Sequence, residues 1–104
     1  MEELMDELIK FQKERDWKKF HTPENLAKSI SIEAAELLEH FQWGKEYDVS
    51  EVSEELADVL IYCLYMVDAL DLEVTEIILD KMKKNAIKYP IEKSKGNAKK
   101  YTEF

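Results

Sequence analysis

The sequence predicts an all-α fold, a short four-helix bundle, on three observations. The 104 residues contain only two Gly and two Pro, Glu, Lys, Leu and Ala are frequent, and apolar residues recur at helical spacing in four successive stretches. The hydrophobic content of 45% argues against disorder. One domain is expected over residues 1–104, with residues 91–104 as a basic tail.

Residues 2–16 read as a first amphipathic helix with Leu4, Leu8 and Phe11 on one face, flowing into Arg15-Asp16-Trp17. Thr22-Pro23-Glu24 is a helix start: Thr caps, Pro is pre-set for the first helical position, and Glu sits at the positive end of the dipole. This second helix is expected to run to about Trp43. Gly44 and the polar stretch 45–49 connect it to a third helix, capped by Ser50 and lasting to about Leu70. Asp71 is expected to cap a fourth helix over 72–89, stopped by Pro90. The remainder reads as extended or partly ordered.

Past Asp58 the third helix is apolar on nearly every side, through Val59-Leu60-Ile61-Tyr62-Cys63-Leu64-Tyr65-Met66-Val67. Such an element needs more cover than a small chain supplies, so it is expected at the centre of the bundle and at a subunit interface of a homodimer or homotetramer. Its run reaches Asp68 too soon to span a bilayer. Cys63 has no intrachain partner and reads as a buried core thiol. The opening Met-Glu-Glu-Leu-Met-Asp-Glu lacks the positive charge and apolar run of a secretory leader, which makes the cytoplasm the expected location.

Charge divides the chain. Residues 1–80 hold 7 basic and 21 acidic side chains, net −14, whereas residues 81–104 hold 8 lysines and 2 acids, net +6. The overall charge of −8 weighs against nonspecific nucleic-acid binding. The basic end has two readings: solvated cations near a helix C-terminus, or lysines that hold the phosphates of a substrate. On the fourth helix Lys81, Asn85 and Lys88 share one face at i, i+4 and i+7.

Two acidic pairs carry the chemistry. Glu33 and Glu36, then Glu55 and Asp58, are each spaced i, i+3, so each pair forms a small carboxylate claw on one helix face. With 23 acids in the chain, such pairs also arise by chance. Placement sharpens the signal: Glu33 falls against the apolar stripe of Leu26, Ile30, Leu37 and Phe41, and Asp58 opens the most apolar run. Carboxylates at the mouth of a core are costly unless paired or metal-bound. Two facing claws would offer oxygen-only ligands, which suit Mg²⁺ or Mn²⁺ better than Zn²⁺.

These segments resemble the MazG-like nucleotide pyrophosphohydrolases of the all-α NTP pyrophosphatase superfamily, in particular the dCTP pyrophosphatase-type branch. The resemblance runs through Glu14-Arg15-Asp16-Trp17, Phe20-His21, Glu33-Ala34-Ala35-Glu36-Leu37, Phe41-Gln42-Trp43 and Glu54 to Tyr62. It continues through Lys81-Met82, Asn85, Lys88-Tyr89-Pro90 and Lys93-Ser94-Lys95-Gly96. It implies hydrolysis of a nucleoside triphosphate between the α and β phosphates, with Glu33, Glu36, Glu55 and Asp58 as Mg²⁺ ligands; Glu33 and Glu36 are the candidates to take the proton from water, a choice the residues leave open. By the same resemblance Lys81, Asn85 and Tyr89 contact phosphate, and Trp17, Trp43 and Tyr62 enclose the base.

For Trp17 and Trp43 the competing reading is core packing. His21 reads as structural or as a surface residue near the base pocket, and Glu39 and His40 read as surface residues. Two positions depart from the family pattern. Ile32 stands where relatives often have an additional acid, and Leu8 stands where dCTP-directed relatives have a histidine. A carboxylate-bridged di-iron site needs Glu-x-x-His pairs, and neither His21 nor His40 follows a glutamate at that spacing. The remaining alternative is a non-catalytic helical module for nucleotide, metal or self-association, in which the acids pair with Lys81 and Lys88.

Overall fold

The computed structural model describes residues 1–96 and 98–103; Asn97 and Phe104 of the basic tail lie outside them. All regular structure among the described residues is helical. Four long helices carry the fold: α1 (Glu2–Glu14), α2 (Pro23–Glu39), α3 (Val49–Ala69) and α4 (Val74–Lys88). A short α5 (Ile91–Ser94) follows, with 3-10 turns at Lys18–Phe20 and Tyr101–Glu103. The tail, expected to be extended or partly ordered, carries two short helical pieces. Among the described residues no helix is long and apolar enough to cross a membrane.

The chain divides into two compact units, Met1–Leu72 and Glu73–Phe104. In the first, α2 pairs extensively with α3, and α1 lies against α3. Leu26, Leu64 and Tyr65 are its buried apolar side chains. The Tyr65 hydroxyl donates to the Leu8 carbonyl at 3.1 Å, fastening α3 to α1 with the one polar atom the ring carries. Burial pushes the Tyr65 phenol up from its ordinary range. Leu56 and Leu60 remain half-exposed, and Cys63 is only half-buried rather than a core thiol, so the apolar run of α3 is not fully covered within the chain. The second unit is α4, α5 and the C-terminal turn.

The helix ends show where local chemistry acts. Thr22 caps α2 as expected, its side chain accepting from the Asn25 amide at 3.2 Å with Pro23 in the first turn. Helix α2 stops at Glu39, four residues before Trp43, and a turn over 40–44 carries the chain on. The cap of α3 is Asp48 rather than Ser50: its Oδ1 accepts from the amides of Ser50 at 2.8 Å and Glu51 at 3.3 Å. Glu73 rather than Asp71 caps α4, accepting from Thr75 and Glu76.

Asp71 does different work. It takes a left-handed conformation, φ 54°, and ends α3 with its own amide bonded to the Asp68 carbonyl and that of Leu72 to Val67. Asp16 ends α1 in the same way, also at φ 54°. Aspartate is among the few residues with a side chain that tolerate this region.

The corrected cap is directly testable. Asp48→Ala is expected to lower stability by about 1 kcal/mol in urea denaturation, whereas Ser50→Ala should stay within about 0.5 kcal/mol of wild type. The reverse order would return the cap to Ser50.

Candidate functional site

The α2–α3 pairing brings the two acidic claws together. One carboxylate oxygen from each of Glu33, Glu55 and Asp58 lies within 4.8 Å of the others. Glu36 closes the group through its contact with Glu33. A hydrogen bond that the protonated carboxyl makes with Glu36, then burial, then the charges of Glu36, Asp58 and Glu55 push Glu33 up to about 7. A proton held on Glu33 eases the repulsion among the four acids.

The cluster also contains unsatisfied acceptors. Oε2 of Glu33 and Oε2 of Glu55 are shut off from solvent with no hydrogen-bond partner. A buried carboxylate oxygen without a donor is costly. No ammonium or guanidinium of the first unit forms an ion pair with the four acids among the described residues; the lysine pairs of this unit are Lys19 with Asp16 and Lys28 with Glu24. Hard oxygen donors that converge, two of them without a hydrogen-bond partner, fit a divalent cation such as Mg²⁺ or Mn²⁺.

His40, expected on the surface, is instead only 20% exposed at the C-terminal end of α2. Its ring nitrogens lie 3.7 Å from Glu55 and 3.9 Å from Glu51. Glu39 is exposed, as expected.

A ring cluster forms where α1 and the following turn meet α3. Trp17 stands edge-on to Phe11 at 5.7 Å and to His21 at 6.2 Å; His21 in turn meets Tyr62 at 6.1 Å and Tyr65 at 5.0 Å. The Arg15 guanidinium covers the outer face of Phe11, 3.5 Å from its centroid. His21 is therefore the shared neighbour of Trp17 and Tyr62. Burial lowers its pKa, and its Nδ1 is 2.7 Å from the side-chain amide of Gln12.

Gln12 is the residue that sequence reasoning missed. It is 2% exposed, and its Oε1 has no partner. A polar residue after Leu8 and Phe11 gave the only signal, and glutamine at a helix end is too ordinary to stand out. Beside the rings, Leu4, Glu7, Leu8, Phe11, Ile61 and Tyr65 line a cleft of about 230 Å³. Leu8 contributes an apolar wall there.

The other sequence-selected residues are distributed differently. Trp43 is 92% exposed on the turn after α2, which rules out core packing within this chain. Trp17 is 41% exposed, with Phe11 and His21 edge-on to it and the Arg15 guanidinium 5.9 Å from its ring centroid. Lys81 and Asn85 share one face of α4 with Ile77, Ile78 and Met82, around a cleft of about 460 Å³. Tyr89 is half-buried at the end of α4. These three belong to the second unit, the carboxylates and the ring cluster to the first.

Residues 28–104 match the MazG-like family. The chain is 35% identical over an aligned 104 residues to dCTP pyrophosphatase 1 of Mus musculus and 34% identical to dCTP pyrophosphatase 1 of Homo sapiens, in each case covering 90% of this chain and 61% of the relative. It thus spans about three-fifths of the length of these curated relatives. Among solved structures, a pyrophosphatase from Archaeoglobus fulgidus superposes with a TM-score of 0.81 at 50% identity, covering 86% of this chain and 92% of that one. With the family's match extending from the first acidic claw through the basic end, and a half-identical structure of the same fold, this chain belongs to the MazG-like family.

Proposed function

We propose that this protein is a divalent-cation-dependent nucleoside triphosphate pyrophosphohydrolase, yielding a monophosphate and pyrophosphate. The observation that carries this reading is the cluster of four carboxylates with two buried, unpartnered oxygens. The names of the relatives, dCTP pyrophosphatase 1 and a pyrophosphatase, support the same reaction class. Residues 1–104 would act as one catalytic domain.

Glu33, Glu36, Glu55 and Asp58 would hold Mg²⁺, or Mn²⁺ in its place. When bound, the cation supplies charge neutralisation at the polyphosphate and Lewis acidity at the reacting phosphoryl group. A water oxygen forms the new bond to the α phosphorus while the bond from that phosphorus to the α,β-bridging oxygen breaks. The electron pair leaves with pyrophosphate. Glu33 or Glu36 would accept the proton from water, a role open to a carboxylate placed within hydrogen-bond reach of it. Lys81, Asn85 and Tyr89 are proposed to bind phosphate oxygens through ammonium, amide and phenol donors.

Trp17, Trp43 and Tyr62 are proposed to enclose the base. Ring exposure supports this: a tryptophan 92% exposed and another at 41% leave faces on which a heterocycle can stack. Deoxycytidine triphosphate and modified nucleotides are the substrates to try first, which would make the enzyme a guardian of the nucleotide pool. The exposed Leu38, Leu56 and Leu60 support assembly as a homodimer or homotetramer. The free thiol of Cys63 accords with the proposed cytoplasmic location.

Substitution at each claw tests the reading. Glu36→Gln and Asp58→Asn are each expected to lower kcat/KM by about 10²–10³-fold or more while circular dichroism stays that of a folded helical protein. Turnover near wild type in either variant would remove that carboxylate from the site.

Glu33 adds a dependence on pH. Its carboxyl has an ordinary pKa of 4.5, and in the cation-free fold this rises to about 7. Between these values the folded state binds more protons than the unfolded chain, so stability falls as pH rises through the window. The Tm of cation-free protein is expected to decline there, Glu33→Gln to remove most of the decline, and Mg²⁺ to raise Tm more at about pH 8 than at about pH 5. A pH profile shared by wild type and Glu33→Gln would show that Glu33 is not the group under strain.

A further inference from the structure

The two oxygens of Glu55 have different surroundings. Oε2 is buried without a partner, whereas Oε1 faces His40 Nε2 at 3.7 Å. The same imidazole turns its other nitrogen, Nδ1, toward Glu51 Oε2 at 3.9 Å. Glu51 and Glu55 are one turn apart on α3, so the ring, arriving from the end of α2, stands between two successive carboxylates of the facing helix. Its 20% exposure marks it as seated against them rather than waving in solvent.

A glutamate carboxylate rotates easily about its last bond, and a long side chain has rotamer freedom to lose before it can serve as a ligand. A donor fixed on one oxygen restricts both. We infer that His40 is a positioning residue: its Nε2–H donates toward Glu55 and holds that side chain with its second oxygen turned into the carboxylate cluster, while the Glu51 carboxylate flanks the far side of the ring. Both separations exceed a direct hydrogen bond, and a small side-chain rotation closes the one to Glu55. Outer partners of this kind orient the ligands of metal sites, and their loss weakens metal binding by about 10–100-fold. This inference rests on reading the cluster as a cation site.

The test is Mn²⁺ binding to the nucleotide-free protein by isothermal titration calorimetry, with wild type, His40→Leu and His40→Gln compared. Leucine fills the space without a donor; glutamine retains an amide donor at similar reach. His40→Leu is expected to weaken Mn²⁺ about tenfold and His40→Gln to restore affinity to within about threefold of wild type. Equal affinity in wild type and His40→Leu would overturn the inference and leave the cation site intact. Equal loss in both variants would also overturn it, since the donor would then be irrelevant. Failure of wild type itself to bind Mn²⁺ would sink the cation reading and this inference with it.

Discussion

Repulsion among four carboxylates at the α2–α3 pairing is the constraint on which the rest of this molecule turns. Placed on two helices at i, i+3, the acids could have faced solvent; the pairing instead draws Glu33, Glu55 and Asp58 within 4.8 Å and sets Glu36 against Glu33. Holding them there costs free energy in the absence of a counter-charge, and the apolar side chains that α2 and α3 bury must offset it. A fully buried Leu or Tyr-sized side chain contributes about 1.5–3 kcal/mol, so Leu26, Leu64 and Tyr65 are of the right order for the task. The strain is what gives a cation its purchase: any divalent ion bound there relieves charge and satisfies two orphaned oxygens at once.

Much of this was legible in the sequence, and the reasons are local. The carboxylate spacing and the adjacent apolar stripe identified the α2 and α3 claws because helical periodicity fixes which residues share a face. Thr22-Pro23 gave the start of α2 for the same kind of reason. The caps of α3 and α4 were less legible because each junction offers more than one candidate. Asp48 precedes Ser50 by two residues, and Asp71 precedes Glu73 by two. The choice depends on backbone conformation, as the left-handed φ of Asp71 makes plain. His40 and Gln12 were hidden for another reason: their importance lies in what faces them across the fold, Glu51 and Glu55 for one, His21 for the other. No pattern along a single helix records such a pairing.

The apolar surface follows a related logic. Helix α3 carries more hydrophobic side chain than α1 and α2 conceal, leaving Leu56 and Leu60 half-exposed, and Trp43 stands almost free after α2 ends early. The ring edges of Phe11, Trp17, His21 and Tyr62 meet in a chain that leaves Phe11 and Trp17 exposed. Under the proposed function the ring faces would take a flat base, and a cation held by the carboxylates would take its polyphosphate. That division is the physical basis for reading a nucleotide, rather than phosphate alone, as the substrate.

The most direct measurement is product analysis by ³¹P NMR on a panel of canonical and modified nucleoside triphosphates, run with Mg²⁺ and again with EDTA. Cation-dependent appearance of pyrophosphate and nucleoside monophosphate, from at least one member of the panel, is the expected result. Release of orthophosphate and a diphosphate, turnover unaffected by EDTA, or no turnover by a folded protein with Mn²⁺ bound would each contradict it.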